Sequence, residues 1–367
     1  MIGGGQLGRM FTMAARSMGY RVIILDPDPH SPAGNIANQH IQADFNDQAA
    51  LDMLGDYCAV VTVEFENLPV NSLTRVRQHC PVRPAPETIA MAQDRLQEKA
   101  FLDDHDFPTV AFYAIESADE LEEAMGDLDG PCILKLARPR FPGHGLHAVD
   151  SADKALEAFR LMDEQPCILE ERLYVEKRLT VILARSLDGE IATYPLVENT
   201  YTKGLLDTSA APADIPGEIA DAALEMTADI ADELEHCGIL STELFLTAEG
   251  ELLVNTMAPR PHNSGHYTVD ACVTSQFEQQ VRMLCGLPPG DTGLLSPVVM
   301  LNLMGDLWVN GDPAWEEVFI EPQALLHLYG KSKARRGRKM GHINCLADDT
   351  DSAREIAESI RSALEDS

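Results

Sequence analysis

A short apolar run that leads into a rigid polar segment constrains the fold of this sequence more than any other feature. Residues 251–254 have the composition of a strand entered through a Glu-Gly turn. Pro259 and Pro261 follow, and because proline lacks an N–H and fixes φ, they exclude a helix and keep the chain extended. Polar side chains are dense from residue 260 to residue 266. A strand that ends in such a loop is typical of a ligand site, although a well hydrogen-bonded structural loop fits the pattern equally well.

The first residues have the pattern of a strand, a glycine loop and a helix. Gly3, Gly5 and Gly8 have G-x-G-x-x-G spacing, and an amphipathic stretch to about Met18 and an apolar strand at residues 21–25 follow. The amino end of such a helix can accept an anion, but the spacing alone is weak evidence. Only two residues precede the glycines, whereas strands usually have about five, so we expect a truncated first strand.

The next segments predict an N-terminal α/β domain over residues 1–92. Strands are expected at residues 41–45 and 59–63, with a helix at residues 48–54 between them. The second strand ends in carboxylates at Glu64 and Glu66. In doubly wound sheets ligands bind at this edge of the sheet, while capping of the following helix is the alternative role for these acids.

A second unit, residues 93–290, has a different arrangement of charged residues around a glycine loop. A strand at residues 131–135 ends in Lys135, the following loop contains Gly143 and Gly145, and a later strand carries Glu170. This pattern indicates phosphates held by the lysine and by backbone amides, in a subdomain of about residues 130–175. The Pro- and Gly-rich run 286–290 predicts a boundary, and alternating strands and a closing helix predict a small C-terminal α/β domain at residues 291–367.

Composition limits the function classes. At 367 residues the chain is too long for one core. Its eight cysteines have no CxxC pair, which argues against a zinc site or a disulfide framework and for a reducing cytoplasm, and no apolar run is long enough to span a membrane. The net charge of −31 disfavours nucleic acid and indicates a surface adapted to high salt, as in halophiles; an acidic face for a basic partner is the alternative. Residues 331–339, with three lysines and three arginines, are the exception.

Taken together and in order, several motifs resemble one family along nearly the whole chain. They are residues 3–10 (GGGQLGRM), 62–67 (TVEFEN), 94–99 (DRLQEK), 258–268 (APRPHNSGHYT), 275–278 (SQFE), 329–331 (YGK) and 337–342 (GRKMGH). The sequence is therefore identified as a member of the 5-(carboxyamino)imidazole ribonucleotide synthases, which are ATP-grasp enzymes of purine biosynthesis. The resemblance implies an α/β ATP-grasp fold with a Rossmann-like pre-ATP-grasp domain and a small C-terminal domain, in a homodimer.

The resemblance also implies the reaction. ATP and bicarbonate would give carboxyphosphate, which collapses to carbon dioxide and phosphate, and the amine of aminoimidazole ribonucleotide would capture the carbon. Mg²⁺ would bridge the ATP phosphates and neutralise developing charge. The expected partners are thus small molecules: the ribonucleotide, ATP and bicarbonate.

Site residues are carried over by position from the same resemblance. The expected catalytic residues are Lys331, Arg260 and His262. The expected ribonucleotide-binding residues are Gln6, Leu7, Glu64, Asn263, Ser264, Arg338 and Lys339. The expected ATP-binding residues are Arg95, Lys135, Gly143, Gly145, Glu170 and Asn255, with Glu243 and Asn255 as metal ligands. For the basic cluster, a solvated turn is the alternative to a phosphate site.

The ATP side departs from the family pattern at several positions. The departures are Pro139 and Pro142 in the glycine loop, Arg178 for a ribose-binding glutamate, Tyr201 for a histidine, Asp207 for an arginine and Thr256 for the second magnesium glutamate. Loss of one carboxylate weakens a site for a hard cation. Two hypotheses follow: a working synthase with a rearranged ATP site, or a divergent paralogue that binds an imidazole ribonucleotide without ATP turnover and acts in regulation or in carboxyl chemistry without ATP.

Overall fold

The fold is that of a computed structural model, which describes residues 1–128, 130–138 and 145–365. Three groups of elements follow one another along the chain. In the described part of the chain, no helix is long and apolar enough to cross a membrane.

The first group is a small parallel α/β unit. Its elements are α1 (Gln6–Ser17), β1 (Ile23–Leu25), β2 (Gln39–Ile41), α2 (Gln48–Tyr57), α3 (Val70–Val76) and α4 (Pro86–Ala92). β1 pairs with β2 in parallel, and Ile2 forms parallel bridges to both Leu25 and Val63. The prediction of a strand at residues 41–45 is wrong, because β2 ends at Ile41 and Asp44 and Asp47 instead form a turn and the N-cap of α2. The predicted strand at residues 59–63 is reduced to isolated bridges.

The second group forms a four-stranded antiparallel sheet with two helices. Its elements are α5 (Arg95–Asp104), β3 (Phe112–Ile115), α6 (Ala118–Asp127), β4 (Cys132–Leu136), β5 (Leu146–Val149), α7 (Ala152–Leu161) and β6 (Cys167–Glu171). The strand order is β3-β6-β4-β5, and the apolar faces of α6 and α7 bury Leu121 and Phe159 in its core. β4 and β6 therefore bring Lys135 and Glu170 together at the centre of this sheet.

The third group begins with a larger antiparallel sheet. Its elements are β7 (Val175–Arg185), β8 (Ile191–Thr193), β9 (Val197–Thr202), β10 (Leu205–Ala211), α8 (Gly217–Glu233), β11 (Gly238–Thr247), β12 (Leu252–Ala258), α9 (Thr268–Ala271) and α10 (Gln276–Leu284). β11 and β12 form the hairpin predicted from the Glu-Gly turn. The polar segment after β12 stays extended through His262 and then makes one short 3₁₀ turn at Asn263–Gly265.

The last elements extend that same sheet. They are β13 (Val298–Met304), α11 (Trp315–Ile320), β14 (Ala324–Leu328), β15 (Lys339–Leu346) and α12 (Thr350–Glu365). The strand order is β12-β11-β7-β9-β10-β13-β15-β14, with β8 paired to β7, so β13 joins the C-terminal strands to β10 by antiparallel pairing. The α/β class is confirmed. The domain limits at residues 92 and 290 stay predictions.

Candidate active site

The amino end of α1 is held by a buried carboxylate. The backbone N–H groups of Gly5 and Leu7 both donate to Glu64, the latter over 3.0 Å. A Cβ at Gly5 would lie 2.5 Å from Glu64 Oε1, so only glycine permits this close approach. Burial raises the pKa of Glu64, against these hydrogen bonds. Glu64, predicted to bind substrate, thus holds the amino end of the helix that presents Gln6. The alternative considered for the acids at this strand end was capping of the following helix, and α3 has no side-chain hydrogen bond at its N-cap among the described residues.

Gln6 of the first group of elements contacts side chains from two separate segments of the third group. Its Nε2 donates to Asn263 Oδ1 over 2.9 Å, and its Oε1 accepts from the Lys331 ammonium. The same ammonium donates to the Lys339 carbonyl over 2.5 Å and lies 5.4 Å from the Tyr329 ring centroid. Burial, more than its basic neighbours, lowers the pKa of Lys331 to about 8. Three residues predicted from distant motifs therefore meet at one place.

The basic segment that contains Lys331 also folds toward this place. Arg338 donates to the Lys333 carbonyl over 2.7 Å, and Gly337 N–H donates to Asp306. Burial lowers the pKa of Lys339 to about 8, with Glu243 acting in the opposite direction. Lys331 and Lys339 are therefore partly buried, whereas most of the residues between them are exposed.

Arg260 and His262 line a cavity of about 290 Å³ together with Glu66, Glu243 and Thr256. Arg260 pairs with Glu66 over 2.7 Å. The Ser264 hydroxyl lies 2.7 Å from His262 Nδ1, and His262 Nε2 lies 3.6 Å from Glu243. Burial and the nearby cations hold the pKa of His262 well below its usual range. We therefore assign a neutral ring, with Nδ1 accepting from Ser264 and the proton on Nε2, directed into the cavity.

The ATP-side residues meet where the four-stranded sheet faces α5. The Lys135 ammonium donates to Glu170 Oε2, and Lys99 lies 3.6 Å from Glu170 Oε1. Arg95 donates to the Leu136 carbonyl over 2.6 Å. Gly145 adopts φ +69°, where a side chain would be strained, next to the glycine loop. Gly143, Pro139 and Pro142 lie outside the described residues.

The predicted metal site contains one carboxylate rather than two. Glu243 accepts from Asn255 Nδ2 over 3.2 Å and from the Tyr201 hydroxyl over 3.4 Å. Thr256, paired with Glu243 across β11 and β12, donates its hydroxyl over 2.9 Å to Glu98. Among the described residues no group of three or more His, Cys, Asp or Glu side chains could hold a metal ion. The residues present do not fit a resident magnesium site with two carboxylates.

Two buried residues of this site, Glu98 and Lys99, were not predicted. Glu98 is 4% exposed and also accepts from the Met257 N–H, and burial raises its pKa to about 7. Lys99 donates to Thr109 and to the Val254 carbonyl. Both lie in the DRLQEK motif that supported the resemblance, so the motif itself was the available signal.

Comparisons with known proteins cover the whole chain. The ribonucleotide synthetase preATP-grasp domain family matches residues 1–93, the ATP-grasp domain family residues 100–277, and the phosphoribosylaminoimidazole carboxylase C-terminal domain family residues 298–356. The N5-carboxyaminoimidazole ribonucleotide synthase of Bacillus subtilis is 39% identical over 96% of this chain and 92% of its own.

Solved structures agree with this result. The ADP complex of an N5-carboxyaminoimidazole ribonucleotide synthetase has a TM-score of 0.93 and 38% identity, covering 100% of this chain and 96% of its own. The Aspergillus clavatus N5-carboxyaminoimidazole synthase, in complex with ADP and 5-aminoimidazole ribonucleotide, has a TM-score of 0.91 and 29% identity, covering 100% of this chain and 98% of its own.

Proposed function

The chain belongs to the N5-carboxyaminoimidazole ribonucleotide synthase family of ATP-grasp enzymes, and we propose that it carboxylates 5-aminoimidazole ribonucleotide in an ATP-dependent ligase reaction of purine biosynthesis. The prediction of family, ATP-grasp fold and enzyme class is confirmed by these comparisons. The alternative of a paralogue without ATP turnover receives no support from them. The observation that carries the proposal is the meeting of Gln6, Asn263 and Lys331 beside a cavity lined by Arg260 and His262.

The ribonucleotide is proposed to bind where the first group of elements meets the third. Lys331, Lys339 and Arg338 present cations to its phosphate, and arginine and lysine are the usual phosphate partners. Gln6 and Asn263 hold the amide groups that would bind the polar edge of the ligand. Because Lys331 has a pKa of about 8, it is mostly protonated at neutral pH and can supply this charge.

The nucleotide is proposed to bind between the two sheets. Lys135, Glu170 and Arg95 lie there, and Lys135 and Lys99 compensate the charge of Glu170. In an ATP-grasp enzyme these cations would contact the phosphates, while Glu170 can accept hydrogen bonds from the nucleotide. Relatives crystallised with ADP, including one that also holds the ribonucleotide, support binding of a nucleotide.

Arg260 and His262 are proposed to act where the two substrates meet. A bicarbonate oxygen attacks the γ-phosphorus of ATP, the bond to ADP breaks, and the resulting carboxyphosphate releases phosphate and carbon dioxide. The substrate amine then attacks the carbon of carbon dioxide, and its proton passes to the released phosphate. Arg260 can stabilise the anionic carboxyl group, and the Nε2–H of neutral His262 can donate to the oxygen that gains charge. Closing of the cavity over bound substrates would keep carboxyphosphate from water.

Four finer statements belong to the proposal. Bicarbonate is the proposed carbon donor, and Mg²⁺ arrives bound to the ATP phosphates rather than resident in the protein, since Glu243 is the one carboxylate of the predicted ligand pair. A homodimer is proposed from the family resemblance. A cytoplasmic location is proposed from the eight cysteines, all of them free.

Phosphate release coupled to incorporation of labelled bicarbonate tests the proposed function. ADP, phosphate and label should appear in equal amounts, and only when ATP, bicarbonate and 5-aminoimidazole ribonucleotide are all present. His262→Ala should reduce label incorporation roughly 100-fold or more, the usual effect of removing a donor to a developing oxyanion. Ribonucleotide binding without any ATP cleavage at high potassium chloride would contradict the proposal and favour the paralogue hypothesis.

A further inference from the structure

Arg178 presents a guanidinium group that is held in place but has no polar partner among the described residues. It lies on β7 opposite Phe245 of β11, and its Cζ is 5.1 Å from the Phe245 ring centroid and 5.2 Å from that of Tyr201. The residue is exposed, and none of the residues that the structure describes accepts a hydrogen bond from the guanidinium or forms an ion pair with it. Two aromatic rings therefore orient the group while leaving its five N–H donors available.

The Arg178 side chain lies on the face of the sheet that carries the predicted metal ligand Glu243. Side chains two residues apart on a strand share a face, so Glu243 and Phe245 lie on the same side of β11. Tyr201, one of the rings that contacts Arg178, donates its hydroxyl to Glu243. The charge of Arg178 also reaches that carboxylate, where it opposes the rise in pKa that burial causes.

The charge balance of this face differs from that of a site for two metal ions. Thr256 supplies a hydroxyl in place of a carboxylate, and its donor is engaged by Glu98. Glu243 is left under the influence of two cations, Arg178 and Lys339. A hard cation is held mainly by carboxylates, so this face is less suited to a metal ion and better suited to an anion than a face with two carboxylates. The guanidinium group of an arginine can donate two parallel hydrogen bonds to two phosphate oxygens, so it can take the place of a bridging ion.

At this position the resemblance implied a glutamate for the ribose hydroxyls, but Tyr201 links Arg178 to the predicted metal ligand Glu243. We propose that Arg178 therefore binds the phosphate groups of the nucleotide directly and neutralises charge that a second divalent ion would otherwise neutralise. The inference rests on the proposed function only in taking a nucleotide as the ligand. Its consequence is that this chain retains affinity for a nucleoside diphosphate when divalent metal is removed. Tyr201 and Phe245 act as positioning residues, because they hold the guanidinium plane.

ADP binding measured by titration calorimetry in EDTA and in excess Mg²⁺, at one fixed potassium chloride concentration, tests this proposal. Wild-type protein should bind ADP in EDTA. Arg178→Ala should lose roughly 10- to 100-fold in affinity in EDTA, the usual effect of removing a charged hydrogen-bond donor, and several-fold less in Mg²⁺. Arg178→Lys should be intermediate, since it keeps the charge without the fork. Arg160→Ala, at an exposed arginine on α7, is the matched control and should bind like wild type.

Two results would overturn the proposal: absence of ADP binding by wild type in EDTA, or equal affinities of wild type and Arg178→Ala there. Circular dichroism of each variant excludes misfolding as the cause of any loss. Carboxylation assayed in parallel separates the two proposals. If the wild type carboxylates the ribonucleotide but Arg178→Ala binds ADP normally in EDTA, only the role of Arg178 is refuted. If the wild type is inactive but binds ADP in EDTA and Arg178→Ala does not, only the proposed reaction is refuted.

Discussion

Replacement of Glu98 by glutamine should stabilise the protein, and the gain should depend on pH. Glu98 is 4% exposed, and burial raises its pKa from 4.5 to about 7. Its Oε1 accepts from the Thr256 hydroxyl and the Met257 N–H, and glutamine keeps an acceptor for both. The substitution therefore removes a buried charge without removing these hydrogen bonds.

The magnitude follows from the shift in pKa. Because folding raises this pKa, the folded state holds the proton more tightly than the unfolded state. The resulting stability is fully present below about pH 4.5 and is lost as the pH rises through about 7. A tenfold change in proton affinity corresponds to about 1.4 kcal/mol, so the wild type should lose about 3 kcal/mol over this range. Glu98→Gln should not lose it.

Thermal unfolding at constant ionic strength between pH 5 and pH 8 measures the effect. The variant should unfold close to wild type at pH 5 and several degrees higher at pH 8. Glu122→Gln, at an exposed glutamate on α6, is the control and should follow wild type throughout. A difference between Glu98→Gln and wild type that is the same at both pH values would refute the assignment of a buried, titrating carboxyl to Glu98.

Three further predictions concern the ligands and the surface. Lys331→Met should raise the KM for the ribonucleotide roughly 10-fold or more at pH 7, and the wild-type KM should itself rise above pH 8 as this lysine deprotonates; a flat wild-type profile would contradict the role of its charge. Thr256→Glu should lower the thermal midpoint in EDTA, because two carboxylates would meet at Glu98, and Mg²⁺ should restore it; no response to Mg²⁺ would show that the position cannot reach an ion. Raising potassium chloride from low to molar concentration should raise the unfolding midpoint, since salt screens a net charge of −31; indifference to salt would remove the argument for a halophilic surface.

Sequence patterns predicted much of the fold because turns and strands depend on interactions between residues that are close in sequence. The Glu-Gly turn before the apolar run at residues 251–254 predicted the turn and second strand of the β11–β12 hairpin. The strand expected at residues 41–45 was wrong because Asp44 accepts from Asn46 N–H and bends the chain. The pattern of apolar residues does not show that a side-chain hydrogen bond to the backbone will compete with strand pairing here.

Contacts between distant segments were not predictable in the same way. Thr256 and Glu98 are 158 positions apart, and no pattern in a single sequence shows that the Thr256 hydroxyl will reach the Glu98 carboxylate. The pairing of β10 with β13, which merges the C-terminal strands with the central sheet, is also a long-range contact. The motifs predicted which residues belong to the site, but the contacts among them depend on tertiary packing. Glu64, for example, accepts hydrogen bonds from the amino end of α1.

Gln6 lies in the first group of elements, whereas Asn263 and Lys331 lie in two segments of the third. The proposed ribonucleotide pocket is therefore built from parts of the chain that are far apart in sequence. Any free energy that the ligand gains there also opposes separation of these parts. Bound ribonucleotide should therefore protect the protein from proteolysis, and the protection should grow with ligand concentration.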